Sequence, residues 1–355
     1  MAVELVSSKR AEDEYNELIR QCADANFYHT LIWRDVLRDV LGDEPVYLVL
    51  RSGGSLTAAL PGFIRRSSEG GVYNSLPWHG SFGGVVLVPG ADRAAAATQL
   101  VTAARELAAD EGCMAGTIFA SPRAESASAC ERAWRTEFTR ETVAQITLLD
   151  RPLHPSPSVR NHVRKAERAG LEIEDCMRIE ELPELWDLHA GRSRPSPGSP
   201  KQLSYFVSLY GRAVGAGAAR FMGARRDGRL VAAIVLVVKD GSIALADTVL
   251  DRDARRLQAP SLLIHTAIDW AVDAGCSWLL WGTATPGSGV YEFRRAWGTR
   301  DIVCPCWTTM LTPMERLQEM GRGALERSFP GYYVAPFDAI EPETAATVGR
   351  HPGGA

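Results

Sequence analysis

No stretch of this 355-residue chain approaches the roughly 18 uninterrupted apolar residues of a membrane-crossing helix, so no membrane span is expected. The opening residues, MAVELVSSKRAEDEYNEL, are charged where a signal peptide would be apolar, and the sequence predicts a soluble, cytoplasmic protein. Positive charge is not in excess. With 39 Lys and Arg against 43 Asp and Glu the net charge is −4, which argues against a chain that coats DNA through phosphate contacts. The Gly-x-Ser-x-Gly, His-Glu-x-x-His and Gly-Lys-Ser/Thr motifs are missing. The seven histidines lack ligand spacing, and among the seven cysteines only Cys304 and Cys306 lie close together, so neither a metal nor a disulfide framework is expected.

What is there is an ordinary globular composition, 46% hydrophobic and 23% charged, with enough apolar mass for a sizeable core. The length predicts two domains, because single cores stop growing near roughly 250 to 300 residues. A faint internal repeat agrees. Leu107-Ala-Ala-Asp-Glu-Gly-Cys113 runs into an apolar stretch, and so does Trp270-Ala-Val-Asp-Ala-Gly-Cys276. Each copy reads as an Ala-rich helix stopped by Gly and followed by a buried strand. Upstream of each copy lies a hairpin signal, 46–60 in one half and 219–234 in the other. Both halves therefore read hairpin, strand, helix, strand, an α+β order. The stretch Arg151-Pro-Leu-His-Pro-Ser-Pro157 reads as the non-helical connection, giving domains 1–150 and 151–312 and a C-terminal part, 313–355. The first domain has fourteen basic and twenty acidic residues, the second twenty-one and seventeen, so the second is the basic one.

Three stretches could carry chemistry. In Ser158–Gly170, Arg160, Arg164 and Arg168 recur every four residues on one helix face, joined by Lys165: either a solvated face or a ridge for phosphates. Arg255 and Arg256 precede a helix that should begin at Pro260, whose first amides make a potential anion site. Around 256–261, however, Ala259 and Pro260 stand where a phosphate-cradling loop would want a glycine and an amide. The third stretch, Trp281 to Gly298, passes from a strand through a Gly/Pro/Ser/Thr loop into Tyr291-Glu-Phe293-Arg294-Arg-Ala-Trp297. Asp247, mid-strand among Ala and Val, is either a general base or a carboxylate holding a turn.

Here the chain resembles the Fem-type (FemAB-like, BioF2-like) family of the GNAT superfamily, through Gly289-Val-Tyr291-Glu-Phe293-Arg294-Arg-Ala-Trp297-Gly298. Asn26–Trp33, Ser75–Gly84, Val159–Gly170 and Pro260–Leu263 follow the family's order. Two departures are visible: the family's usual Lys after Phe is Arg294, and no long coiled-coil arm separates the halves. The resemblance implies two tandem GNAT-like domains, each a mixed, mostly antiparallel sheet flanked by helices. It also implies a C-terminal helix near Pro313–Arg327 that returns to the first domain.

The activity implied is transfer of an amino acid from aminoacyl-tRNA, used as co-substrate rather than cofactor, to an amine of a cell-wall precursor or specialised metabolite. The alternatives are an acyl-CoA-dependent N-acyltransferase and a non-catalytic GNAT-shaped binding protein. An amine attacking an ester builds charge on the carbonyl oxygen, which Arg294 would stabilise; Asp247 is the candidate base, and Tyr291 and Phe293 complete the catalytic set. Trp33, Trp78, His79, Trp281 and Thr283 are the candidate substrate-binding residues. Arg160, Arg164, Lys165, Arg255 and Arg256 are those for tRNA or phosphate.

Overall fold

The computed structural model describes residues 2–78, 81–122, 127–150, 153, 155–191, 201–251 and 254–341. The first half runs β1 (Ala2–Leu5), α1 (Lys9–Gln21), α2 (Leu31–Leu41), β2 (Glu44–Pro45), β3 (Leu48–Ser52), β4 (Ser55–Leu60), β5 (Phe63–Ser67), β6 (Gly70–Asn74) and β7 (Val86–Leu87). It continues through α3 (Arg93–Asp110), β8 (Cys113–Phe119), α4 (Ala127–Trp134) and β9 (Phe138–Leu148). The second half runs α5 (Pro157–Arg168), β10 (Glu172–Glu174), α6 (Leu182–Ala190), α7 (Leu203–Leu209), β11 (Ala219–Arg226), β12 (Arg229–Lys239) and β13 (Ser242–Leu250). Then come α8 (Ala254–Leu257), α9 (Ala259–Asp273), β14 (Trp278–Thr283), α10 (Gly289–Arg295) and β15 (Arg300–Met310), and the chain closes with α11 (Met314–Ser328) and α12 (Phe337–Ile340).

Local chemistry accounts for the helix that matters most below. The Ser156 hydroxyl accepts the Val159 amide at the start of α5, and Val159, Val163 and Ala166 bury one stripe of it. Pro157 opens this helix as its first residue, so the connection expected to be non-helical ends one residue earlier; proline's fixed φ and missing donor suit that position. In α9, likewise, Ala259 rather than Pro260 is the first residue.

The two halves do not keep separate sheets. One eleven-stranded sheet runs β10-β11-β12-β13-β14-β9-β15-β8-β6-β5-β2, beside a smaller sheet β1-β3-β4-β7. The halves interlock at its centre. The last strand of the first half, β9, lies between β14 and β15 of the second, while β15 lies between β9 and β8 of the first. The boundary at 150/151 is therefore crossed by paired strands. Helix α11 packs on the first half, where Leu317, Leu325 and Phe329 join Val72, Met114 and Ala115.

Among the described residues each half contains one parallel pair, and the two pairs differ in how far they run. Strands β6 and β8 pair from Gly71 and Cys113 to Asn74 and Thr117, and the Ser75 amide extends the contact to the Thr117 carbonyl. Strands β13 and β14 pair only over Ser242–Ala244 and Trp278–Leu280. Beyond that point β13 follows β12 to Leu250 while β14 follows β9 to Thr283, so the two spread into a wedge. A one-residue bulge at Ala246, between the pairs Leu236/Leu245 and Val235/Asp247, re-aims β13 where the spreading starts.

Candidate functional site

Helix α10 follows β14 and bonds back to its end. Its N-cap Ser288 accepts the Tyr291 amide, and Trp297 behind it packs on Trp281 at 6.1 Å. This anchoring presents Arg294 to the end of β14, where its Nη1 donates to the carbonyls of Gly282 and Thr283, each at 3.1 Å. Among the described residues no carboxylate is paired with it. Its Nε and Nη2 donors are not engaged there either. Burial lowers its pKa to about 10, so it remains a cation at neutral pH. A half-buried, uncompensated guanidinium at the edge of a widening strand pair is arranged to meet an external oxygen.

Asp247 is not the isolated carboxylate that the sequence suggested. Both of its oxygens accept from the Lys201 ammonium, at 2.7 and 2.9 Å, and Oδ2 also accepts from the Tyr205 hydroxyl at 3.0 Å. The ion pair is largely covered, with side-chain exposures of 14% for Lys201 and 9% for Asp247. Both oxygens are thus engaged by the ammonium and are not presented to an external proton. Burial first, and the Asp247 charge second, hold the Tyr205 phenol well above the ordinary range.

The remaining candidates fall on both sides of the wedge. Trp78 stacks on Tyr205, with ring centroids 6.0 Å apart at 19°, which joins a loop of the first half to α7 and β13. Trp33 is only 2% exposed, in an aromatic cluster with Phe27, Tyr28 and Tyr205, so it backs this wall and does not line it. His79 lies outside the described residues. Trp281, 1% exposed, spends its indole donor on Thr147 and is core. Thr283 is exposed and contributes its carbonyl to Arg294. Tyr291, a candidate member of the catalytic set, donates its phenol to Asp301 at 2.5 Å, and that bond raises its pKa. Asp301 in turn meets the buried Gln145 of β9. Phe293 is partly buried against the core under α10.

The arginine ridge exists. Arg160, Arg164, Lys165 and Arg168 are exposed on α5, and among the described residues none is in a salt bridge. The Ser156 amide donates to the Ala296 carbonyl, so the ridge starts against the end of α10. Arg255 and Arg256 are exposed on α8. The potential anion site at α9 is largely spent. The Gln258 amide bonds Arg255, the Ser261 amide bonds Gln258, and Pro260 has no amide to give. Sequence reasoning missed Lys201, Tyr205, Gln145 and Asp301: Lys201 lies two residues before α7, and neither helical spacing nor a motif ties it to Asp247.

Residues 157–295 match the family model described as acetyltransferase (GNAT) domain. No curated protein matches the chain. Among solved structures, FemX aligns with a TM-score of 0.67 at 12% identity, over 86% of this chain and 97% of that one. A tandem GNAT protein from the clavulanic acid biosynthesis pathway aligns at 0.57 and 16%, over 88% and 99%. L-PGS from Bacillus licheniformis aligns at 0.53 and 12%, over 83% and 90%. These likenesses establish the fold: two tandem GNAT-like units.

Proposed function

We propose, from the premise that this chain is by fold a Fem-type tandem-GNAT protein, that it moves an amino acid from aminoacyl-tRNA to an amine of a cell-wall precursor or specialised metabolite. The chain has the fold of a GNAT-superfamily acyltransferase. One observation carries it: Arg294 stands at the mouth of the only parallel pair seen to spread among the described residues, charged and without a carboxylate.

In the reaction the amine nitrogen bonds to the ester carbonyl carbon, and negative charge builds on the carbonyl oxygen. The unengaged donors of Arg294 meet that oxygen, a contact worth about 3 kcal/mol. The carbon–oxygen bond to the tRNA ribose then breaks, and the departing hydroxyl oxygen takes the proton that the amine gives up. Because Asp247 is held by Lys201, the site is better suited to an α-amine, about a tenth of which is neutral at pH 7, than to a lysine-like amine.

Two features favour a tRNA donor over an acyl thioester. At the start of α9 the Ser261 and Leu262 amides both bond the Gln258 carbonyl and Pro260 has none, which weakens a pyrophosphate cradle, and the ridge on α5, without a salt bridge among the described residues, leads to α10. The test is to incubate the pure protein with a charged tRNA pool or with acyl thioesters, together with candidate amines, and to weigh the products. The expected outcome is an aminoacylated amine whose formation stops after ribonuclease treatment. Acylation from thioesters that survives ribonuclease would replace the tRNA reading.

A further inference from the structure

After α11 the chain returns to the first half over residues 329–334, where it contacts Arg65, Asn74 and Trp78. The crossing is tied down at both ends. Arg65 Nε donates to the Ser328 carbonyl at 3.2 Å. At the other end the Tyr333 amide donates to Asn74 Oδ1 and Asn74 Nδ2 donates to the Tyr333 carbonyl, both at 2.9 Å. Between these ties the Gly331 carbonyl accepts the Trp78 amide at 2.8 Å.

Trp78 has φ 82, a left-handed conformation that a bulky side chain rarely adopts, so its surroundings must impose it. Gly331, itself at φ 83, packs directly against the indole: a Cβ there would lie 3.3 Å from Trp78 Cε3. The indole also stacks on Tyr205, the Lys201 ammonium sits 4.4 Å over the Tyr205 ring, and the Tyr205 hydroxyl and Lys201 both bond Asp247. A contact path thus runs from the C-terminal crossing through a loop of the first half to β13 of the second.

We infer that Phe329–Val334 is a positioning strap, in which Gly331 sets Trp78, and Trp78 sets Tyr205 and the Lys201–Asp247 pair on the acceptor wall. That this wall faces an acceptor rests on the proposed acyl transfer; the mechanical coupling does not.

The chain has four lysines, Lys9, Lys165, Lys201 and Lys239, so each amine can be followed by peptide mass. Lys9 and Lys165 are exposed, and Lys239, covered and bonded to Asp240 at the other end of β13, reports general loosening. The experiment treats the full native chain with a limiting soluble acetyl ester and compares rates. In the parent chain Lys201 and Lys239 should react at least tenfold more slowly than Lys9. In Gly331→Ala, Lys201 should react at least fivefold faster with Lys239 unchanged. In Gly112→Ala, at φ 68 with open space around the new methyl, neither should move. Trp78→Gly, which deletes the ring and suits the left-handed backbone, should expose Lys201 as Gly331→Ala does. Lys201 staying protected, or rising only in step with Lys239, overturns the strap; if Gly331→Ala fails to fold, Trp78→Gly alone decides. Because no substrate is needed, a moved Lys201 without acyl transfer would sink the function and keep the strap, and the reverse result would do the opposite.

Discussion

Arg294 is a half-buried charge with no carboxylate partner among the described residues, and this gives it two measurable signatures. Its pKa of about 10 lies below that of arginine in an unfolded chain. Below pH 10 both states hold the proton, and the folded state carries the cost of the buried cation. Between pH 10 and the unfolded value the unfolded chain binds more protons, so stability rises with pH there. Arg294→Met should therefore raise the unfolding midpoint at pH 7, by about 1–2 °C for each kcal/mol relieved in a chain of this length, while transfer is lost. A lower midpoint would show that the two carbonyl bonds outweigh the desolvation. At Asp247 the balance is the reverse: Lys201→Met leaves a covered carboxylate unpaired and should cost about 2 kcal/mol or more, and the double variant with Asp247→Asn should recover most of it in urea unfolding. The position of Arg294 beside the end of β14 could be anticipated because its motif is local. The Lys201–Asp247 partnership could not, since 46 residues and a change of element separate its members.

At the scale of elements, the wedge and the ridge carry the account. The ridge on α5 is exposed and outside any salt bridge among the described residues, so Arg160→Ala with Arg164→Ala should leave stability within about 0.5 kcal/mol. The same pair should lower the slope of log affinity for tRNA against log salt by about 1.4 to 1.8, measured by filter binding. An unchanged slope removes the ridge from the tRNA path. The α5 helix was legible because its four-residue arginine spacing and the glycine that follows it are local in sequence. The wedge was not, because it exists only where two strands cease to pair, and periodicity does not report pairing. Tyr291 and Trp281 show the same limit: aromatic spacing pointed to a site, but their polar atoms are spent on Asp301 and Thr147.

At the scale of the molecule, the halves are recognisable in the sequence as a repeat, yet β9 and β15 interleave, and nothing local encodes a register such as Val303 against Val143. A fragment beginning at residue 151 would keep β15 without either of its neighbours, β9 and β8, and should show no cooperative unfolding, whereas the whole chain should melt in one calorimetric transition. Two separate transitions would mean that the halves are energetically independent. The central claim concerns a single guanidinium at the junction these strands create. Its most direct test is single-turnover amide formation by Arg294→Ala, from charged tRNA and an amine that the parent chain accepts, normalised to folded protein. The account predicts a rate lower by about a hundredfold or more; a rate within twofold of the parent would contradict it.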